Sequence, residues 1–312
     1  MNTSSQNPPI PPAAAPQPLG APDAPAPVVP TRDAPANIKS VLAPLLLLVV
    51  LQFGAPFLPI PNIVVALVGI TILTLLYVGS VVGFSLGVAR QQWSLPILIA
   101  GFVGCGSAWG AFQMFGRGIP FGYALQNFAL LGLGTFFGLL ISKMIKHANM
   151  IGPIGVMVAL IDIWGVLFGG IVAQLLTNKA TKSIATTAMG SGPKLGAATS
   201  KFHLALPDIG IGDYLFLALF LGAIVHFGMN WRASAIWMWA GVSAALLAIV
   251  LLPFIPALPG LLFLGAGAVL PNLKYFQFTR EEKFALLYAG IFVGLLTIGL
   301  YFGFTSMLPK QP

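Results

Sequence analysis

Charge is what this chain has least of. Asp, Glu, Lys and Arg make up 7% of its 312 residues, against 57% hydrophobic residues and a mean hydropathy of +0.93. A water-soluble globule of this length has no room to hide so much apolar surface, so lipid is the expected solvent. Apolar runs with two-residue alternation are missing, which excludes a membrane barrel and leaves helices as the spanning elements. Cysteine is nearly absent. The one thiol, Cys105, sits between Gly104 and Gly106, so neither a disulfide framework nor a cysteine metal site can be assembled, and packing is its expected role. The three histidines, His147, His203 and His226, are scattered and lack the spacing of a zinc-protease helix. No metal and no cofactor are expected. The formal net charge of +8 does not signal nucleic acid, because the basic residues stand in singles and pairs between apolar segments, as loop anchors at a headgroup surface do.

What is present reads as an all-α, polytopic transmembrane bundle. Residues 1–37 are crowded with Pro and Ala and lack an apolar stretch behind a basic start, so a disordered tail is expected there, not a cleaved signal peptide. From about residue 40, segments near the ~20 residues needed to cross a ~30 Å hydrocarbon layer follow closely. Nine spans are expected, at 41–60, 62–88, 93–114, 121–144, 150–177, 207–230, 233–252, 254–272 and 284–305. Pro56, Pro59 and Pro61 make the first pair either a short or a broken helix. The chain divides into N-terminal helices over 38–149, a core over 150–272 that includes a polar loop at 178–206, and a loop with an additional span over 273–312. Small residues at helical spacing, such as Gly106/Gly110 and Gly134/Gly138, allow close helix packing. Lys and Arg are shared too evenly between the two sides to fix orientation.

Seven acidic side chains occur in the whole chain; Asp23 and Asp33 fall in the tail, and Glu281 and Glu282 in a loop. Asp162 lies in the uncharged stretch Val156–Val172, where an ionised carboxylate costs at least ~2.5 kcal/mol on insertion scales. Such a group is partnered or functional, and a second carboxyl on another helix can share its proton. Gly155, Ala159, Asp162, Gly165 and Gly169 form one small-residue face that admits a neighbouring backbone. Taken alone, Asp162 fits a structural, a transport or a proteolytic role. Asp213 is the second candidate: Gly210-Ile211-Gly212-Asp213 opens an apolar helix, and its glycines permit approach by a substrate or by the Asp162 helix. The third element is Pro256-Ala257-Leu258-Pro259, where proline leaves nearby carbonyls without an intrahelical donor.

In this order the three elements resemble the GxGD intramembrane aspartyl proteases, the family of presenilin and signal peptide peptidase. The likeness rests on Ala159-Leu160-Ile161-Asp162-Ile163-Trp164-Gly165-Val166-Leu167, Gly210-Ile211-Gly212-Asp213-Tyr214-Leu215-Phe216, and Leu258 with its Pro-Ala neighbours, and covers roughly residues 150–272. It implies a prokaryotic-type homologue in the cytoplasmic membrane, with Asp162 and Asp213 as catalytic dyad. It also implies that Gly210, Gly212, Pro256, Ala257 and Leu258 shape the substrate site, with Lys201–Pro207 as an edge strand for the opened substrate. The implied substrates are single-span membrane proteins or remnant signal peptides; a homo-oligomer is compatible with this. The chain departs from the family in having Ile161 where a tyrosine usually precedes the first aspartate, five spans where six precede the loop, and a span beyond the Pro-Ala-Leu helix.

Two other activities compete. A prepilin-type leader peptidase also uses a Gly-x-Gly-Asp aspartate, but here Tyr-Leu-Phe follows it and cysteine pairs are lacking. A proton- or cation-coupled transporter would use Asp162 and Asp213 as binding groups, yet neither the Gly-Ile-Gly-Asp nor the Pro-Ala-Leu-Pro string has a second copy. Gly83-Phe84-Ser85-Leu86-Gly87 fits a serine-hydrolase elbow by spacing only, because it lies in a membrane helix without the strand-turn-helix setting.

Overall fold

A computed structural model describes residues 37–115, 122–167, 189–196, 204–252 and 257–278, with scattered positions between 280 and 299. The expected tail, most of the polar loop and most of the ninth span lie outside the described residues, as do Pro256 and Gly169.

The described chain is mainly helical. Helix α1 (Lys39–Gly54) runs into a 3-10 turn at Ala55–Phe57, and α2 (Ile63–Arg90), α3 (Leu95–Phe115), α4 (Gly122–Ser142) and α5 (Ile151–Leu167) follow. Four two-residue strands come next: β1 (Met189–Gly190), β2 (Lys194–Leu195), β3 (Leu204–Ala205) and β4 (Ile209–Gly210). The chain continues through α6 (Ile211–His226), α7 (Trp231–Leu251), α8 (Gly260–Val269) and a 3-10 segment at Leu270–Tyr275. Five of these stretches are long and apolar enough to cross a bilayer: Lys39–Phe57, α2, α3, α4 and α7. The chain is therefore an integral membrane protein. Against the nine expected spans, α6 and α8 are helical where expected but shorter, and α5 is helical over the described part of its expected span.

The proline cluster resolves the first pair into two helices. Pro56 falls in the 3-10 turn, the chain is non-helical from Leu58, and Asn62 restarts it by accepting the Val65 N–H at 2.9 Å. Glycine sets the closest helix contacts. A Cβ on Gly134 would stand 2.7 Å from the Tyr214 Cβ, and one on Gly138 would meet the Leu215 carbonyl, so α4 and α6 touch backbone to backbone. Helices α5 and α8 repeat the device: a Cβ on Gly265 would lie 2.8 Å from the Gly155 carbonyl oxygen. The small-residue face expected around Asp162 is thus used at Gly155, whereas among the described residues a Cβ on Gly165 would meet nothing within 4 Å. Gly106 meets Leu133, and a Cβ on Gly110 would meet nothing within 4 Å among the described residues.

A buried amide ties α7 to α8. The fully buried Asn272 accepts the Asn230 N–H at 2.8 Å and donates to Ser234 Oγ at 2.7 Å and the Ala268 carbonyl at 2.8 Å. Asn272→Leu strips these partners at once, and unmet buried groups cost about 1–3 kcal/mol each. The variant is expected to unfold at lower temperature than wild type in a detergent melt, by roughly 4 °C or more.

Candidate active site

Asp162 and Asp213 come together on one cavity of about 580 Å³. Its walls are Val78, Val81 and Val82 of α2, Asp162 and Val166 of α5, Asp213, Tyr214 and Leu217 of α6, and Val242, Ala245, Leu246 and Ile249 of α7. Met189, Pro207–Gly210 and the stretch from Ala257 to Leu264 close the remainder. The lining is mostly aliphatic, with the polar groups of Asp162, Asp208, Asp213 and Tyr214 converging in it, the composition of a ligand site more than of a packing defect. Asp213 lies in the electrostatic field of Asp162.

Helix α6 has 16 residues, about 24 Å at 1.5 Å per residue, short of the ~30 Å of hydrocarbon. Asp213 is its third residue, at the N-terminal end where β4 delivers the chain. Non-helical backbone is tolerated at membrane depth only where it lines a cavity or is buried in protein, and Pro207–Gly210 does line one. The Asp213 Oδ2 accepts the Gly210 N–H at 3.1 Å, so the carboxylate caps its own helix and is held in a fixed rotamer.

Asp162 is anchored by α8. Its Oδ2 accepts the Leu261 N–H at 2.7 Å, and the Leu262 N–H points toward the same carboxyl. The first turn of a helix has free N–H groups and a positive dipole end, which favours a carboxylate there. Gly260 completes the approach: a Cβ at that position would sit 3.1 Å from Asp213 Oδ1, so the start of α8 lies against both aspartates. Pro259, extended at φ −69° and ψ 106°, turns the chain into this helix.

The glycines of the Gly-Ile-Gly-Asp string leave open space on the cavity side. Gly210 and Gly212 line the cavity; a Cβ on Gly212 would meet nothing within 4 Å, and one on Gly210 would meet chiefly Asp213 Oδ2 at 3.6 Å. The backbone that approaches Asp162 belongs to α8, not to the α6 entry. Ala257 is exposed and Leu258 half-buried, both non-helical and both on the cavity wall. Pro256 lies outside the described residues. Ile161, where the resemblance would place a tyrosine, is exposed. A phenol reaches the site from elsewhere: Tyr214 lines the cavity and shares a 3.2 Å hydroxyl contact with the buried Tyr77 of α2.

Leu261, Gly260 and Tyr77 were not singled out from sequence. Leu261 contributes a backbone N–H, which no side-chain pattern announces; Pro259-Gly260 is its one sequence signal, as a helix start. Leu261→Pro removes the donor yet remains compatible with a first helical turn, since Gly260 ahead of it lacks a Cβ. Loss of one hydrogen bond to a charged group, about 1.5–3 kcal/mol, predicts a melting temperature clearly below wild type, which a detergent melt checks.

Among the described residues no group of three metal-ligating side chains occurs. Compared with models of known families, with curated proteins and with solved structures, the chain matches none.

Proposed function

We propose that this chain is a multi-pass intramembrane aspartyl protease of the presenilin and signal-peptide-peptidase type, hydrolysing peptide bonds within transmembrane segments. The observation that carries the proposal is the meeting of Asp162 and Asp213, 51 positions apart in sequence and on different helices, on one largely apolar cavity at the start of α8. In the proposed reaction one carboxylate takes a proton from water, the water oxygen attacks the scissile carbonyl, and the protonated partner donates to the carbonyl oxygen. Collapse of the resulting diol breaks the C–N bond as a proton passes to the leaving amine. Neither metal nor cofactor enters the scheme.

A transmembrane helix shields its peptide bonds, so a substrate must unwind locally and find new partners for the freed N–H and C=O groups. Short ladders at the site support this step. Strand β1 pairs antiparallel with β4, Met189 opposite Gly210, and β2 pairs with β3, Lys194 opposite Ala205. An opened substrate extends such a ladder by strand addition. The described part of the expected edge strand, Leu204–Pro207, contains β3, while Lys201–His203 lies outside the described residues. The non-helical Ala257–Leu258 backbone offers carbonyl acceptors on the facing wall. Replacing Leu258 by Ala, Val and Phe is expected to change the rate or position of cleavage in a single-span reporter. Unchanged cleavage in all three would remove Leu258 from the substrate site.

A further inference from the structure

The buried amide of Asn127, on α4, is bonded twice to a single backbone residue of the strand segment. Asn127 is 9% exposed, and a side-chain amide that deep needs its donor and acceptor met. Its Nδ2 donates to the Ser191 carbonyl at 2.6 Å, and its Oδ1 accepts the Ser191 N–H at 3.1 Å. A neighbouring strand would offer Ser191 the same pair of bonds, so the side chain stands in for a strand partner. Gln52 of α1 adds a longer donation, 3.5 Å, to the same carbonyl.

From Ser191 the connection to the aspartate is short. Ser191 directly follows β1, β1 pairs with β4, and β4 ends at Gly210, whose N–H is bonded to Asp213. Met189, Ile209 and Gly210 of this ladder are cavity wall. Two-residue strands have little stability of their own, so their placement depends on what fixes their ends. We infer that Asn127 is a positioning residue, clasping β1 so that the β1–β4 ladder holds Asp213 and the adjoining cavity wall in place. The clasp is a structural statement; its effect on cleavage rests on the protease reading above.

Two readouts on the full-length protein in detergent or liposomes separate the two. In Asn127→Leu, backbone amides at 189–191 and 209–210 are expected to exchange with deuterium roughly tenfold or more faster, while α2 and α7 keep wild-type protection. Ser191→Pro, which removes the Ser191 N–H without touching α4, should speed exchange at 189–190 and 209–210 in the same way, whereas Ser191→Ala should change nothing, because the bonds run through the backbone. Unchanged exchange in both Asn127→Leu and Ser191→Pro overturns the clasp. On a single-span reporter, Asn127→Leu is expected to lower kcat roughly tenfold or more with KM within about threefold of wild type, and to spread cleavage over neighbouring bonds. Wild-type kcat and cleavage sites in that variant overturn the positioning role. Faster exchange with a wild-type protein that cuts no reporter supports the clasp and removes the protease reading.

Discussion

Asp162→Asn and Asp213→Asn are each expected to lower turnover of a single-span substrate by roughly 10²–10⁴-fold, the range for loss of a positioned acid or base. Asparagine keeps the shape of the carboxyl group and can still accept the Leu261 or Gly210 N–H, so the fold and the cavity should survive. What it cannot do is exchange a proton with water or a carbonyl. The double variant should be scarcely worse than either single one, because residues that act as one unit are not additive. Equal melting temperatures for all four proteins, with activity lost in three, is the expected pattern. Additive losses would instead describe two groups acting independently.

The second large effect is expected far from any charge. Gly265 of α8 lies against Gly155 of α5, and a Cβ there would come within 2.8 Å of a backbone oxygen, which no rotamer change can relieve. Gly265→Val must therefore push α8 away from α5 and carry Leu261 N–H off Asp162, which it now meets at 2.7 Å. Overpacking of this kind costs typically 1–3 kcal/mol of stability, and displacing a catalytic group by about 1 Å costs about 10²-fold in rate. The variant should lose cleavage out of proportion to its lowered melting temperature. Gly104→Val, on α3 where a Cβ meets nothing within 4 Å, is the matched control and should keep both properties.

The helices were legible because a membrane chain writes them in long apolar runs broken by Pro, Asn and Lys: the first eight expected segments each overlap a described helix. Asp162 was legible for the converse reason, as an acid in a stretch with no other charge, and Asp213 through the Gly-Ile-Gly string ahead of it. Other features left no such mark. The ladders at Met189–Leu195 and Leu204–Gly210 are two residues long, too short for alternation to register. Helix α6 begins at Ile211 and not near Pro207, because Pro207–Gly210 is occupied by the chain entering from β3 and by β4 itself. The support of Asp162 comes from peptide N–H groups that every residue but proline carries, and composition cannot locate them. Asn127 did leave a trace, as one of the adjacent amides Gln126 and Asn127 within an apolar span, but such a residue becomes informative only when its partner, Ser191, is seen 64 positions away.

The central claim is that Asp162 and Asp213 form one hydrolytic pair, and its most direct test is product mapping. Purified wild-type protein in liposomes, given a panel of single-span reporters, should yield fragments whose new termini fall inside the transmembrane segment, and Asp162→Asn and Asp213→Asn should yield none. Intact reporters throughout, with proton or cation flux that either substitution abolishes, would contradict the protease account and make the same two carboxyls the binding groups of a transporter.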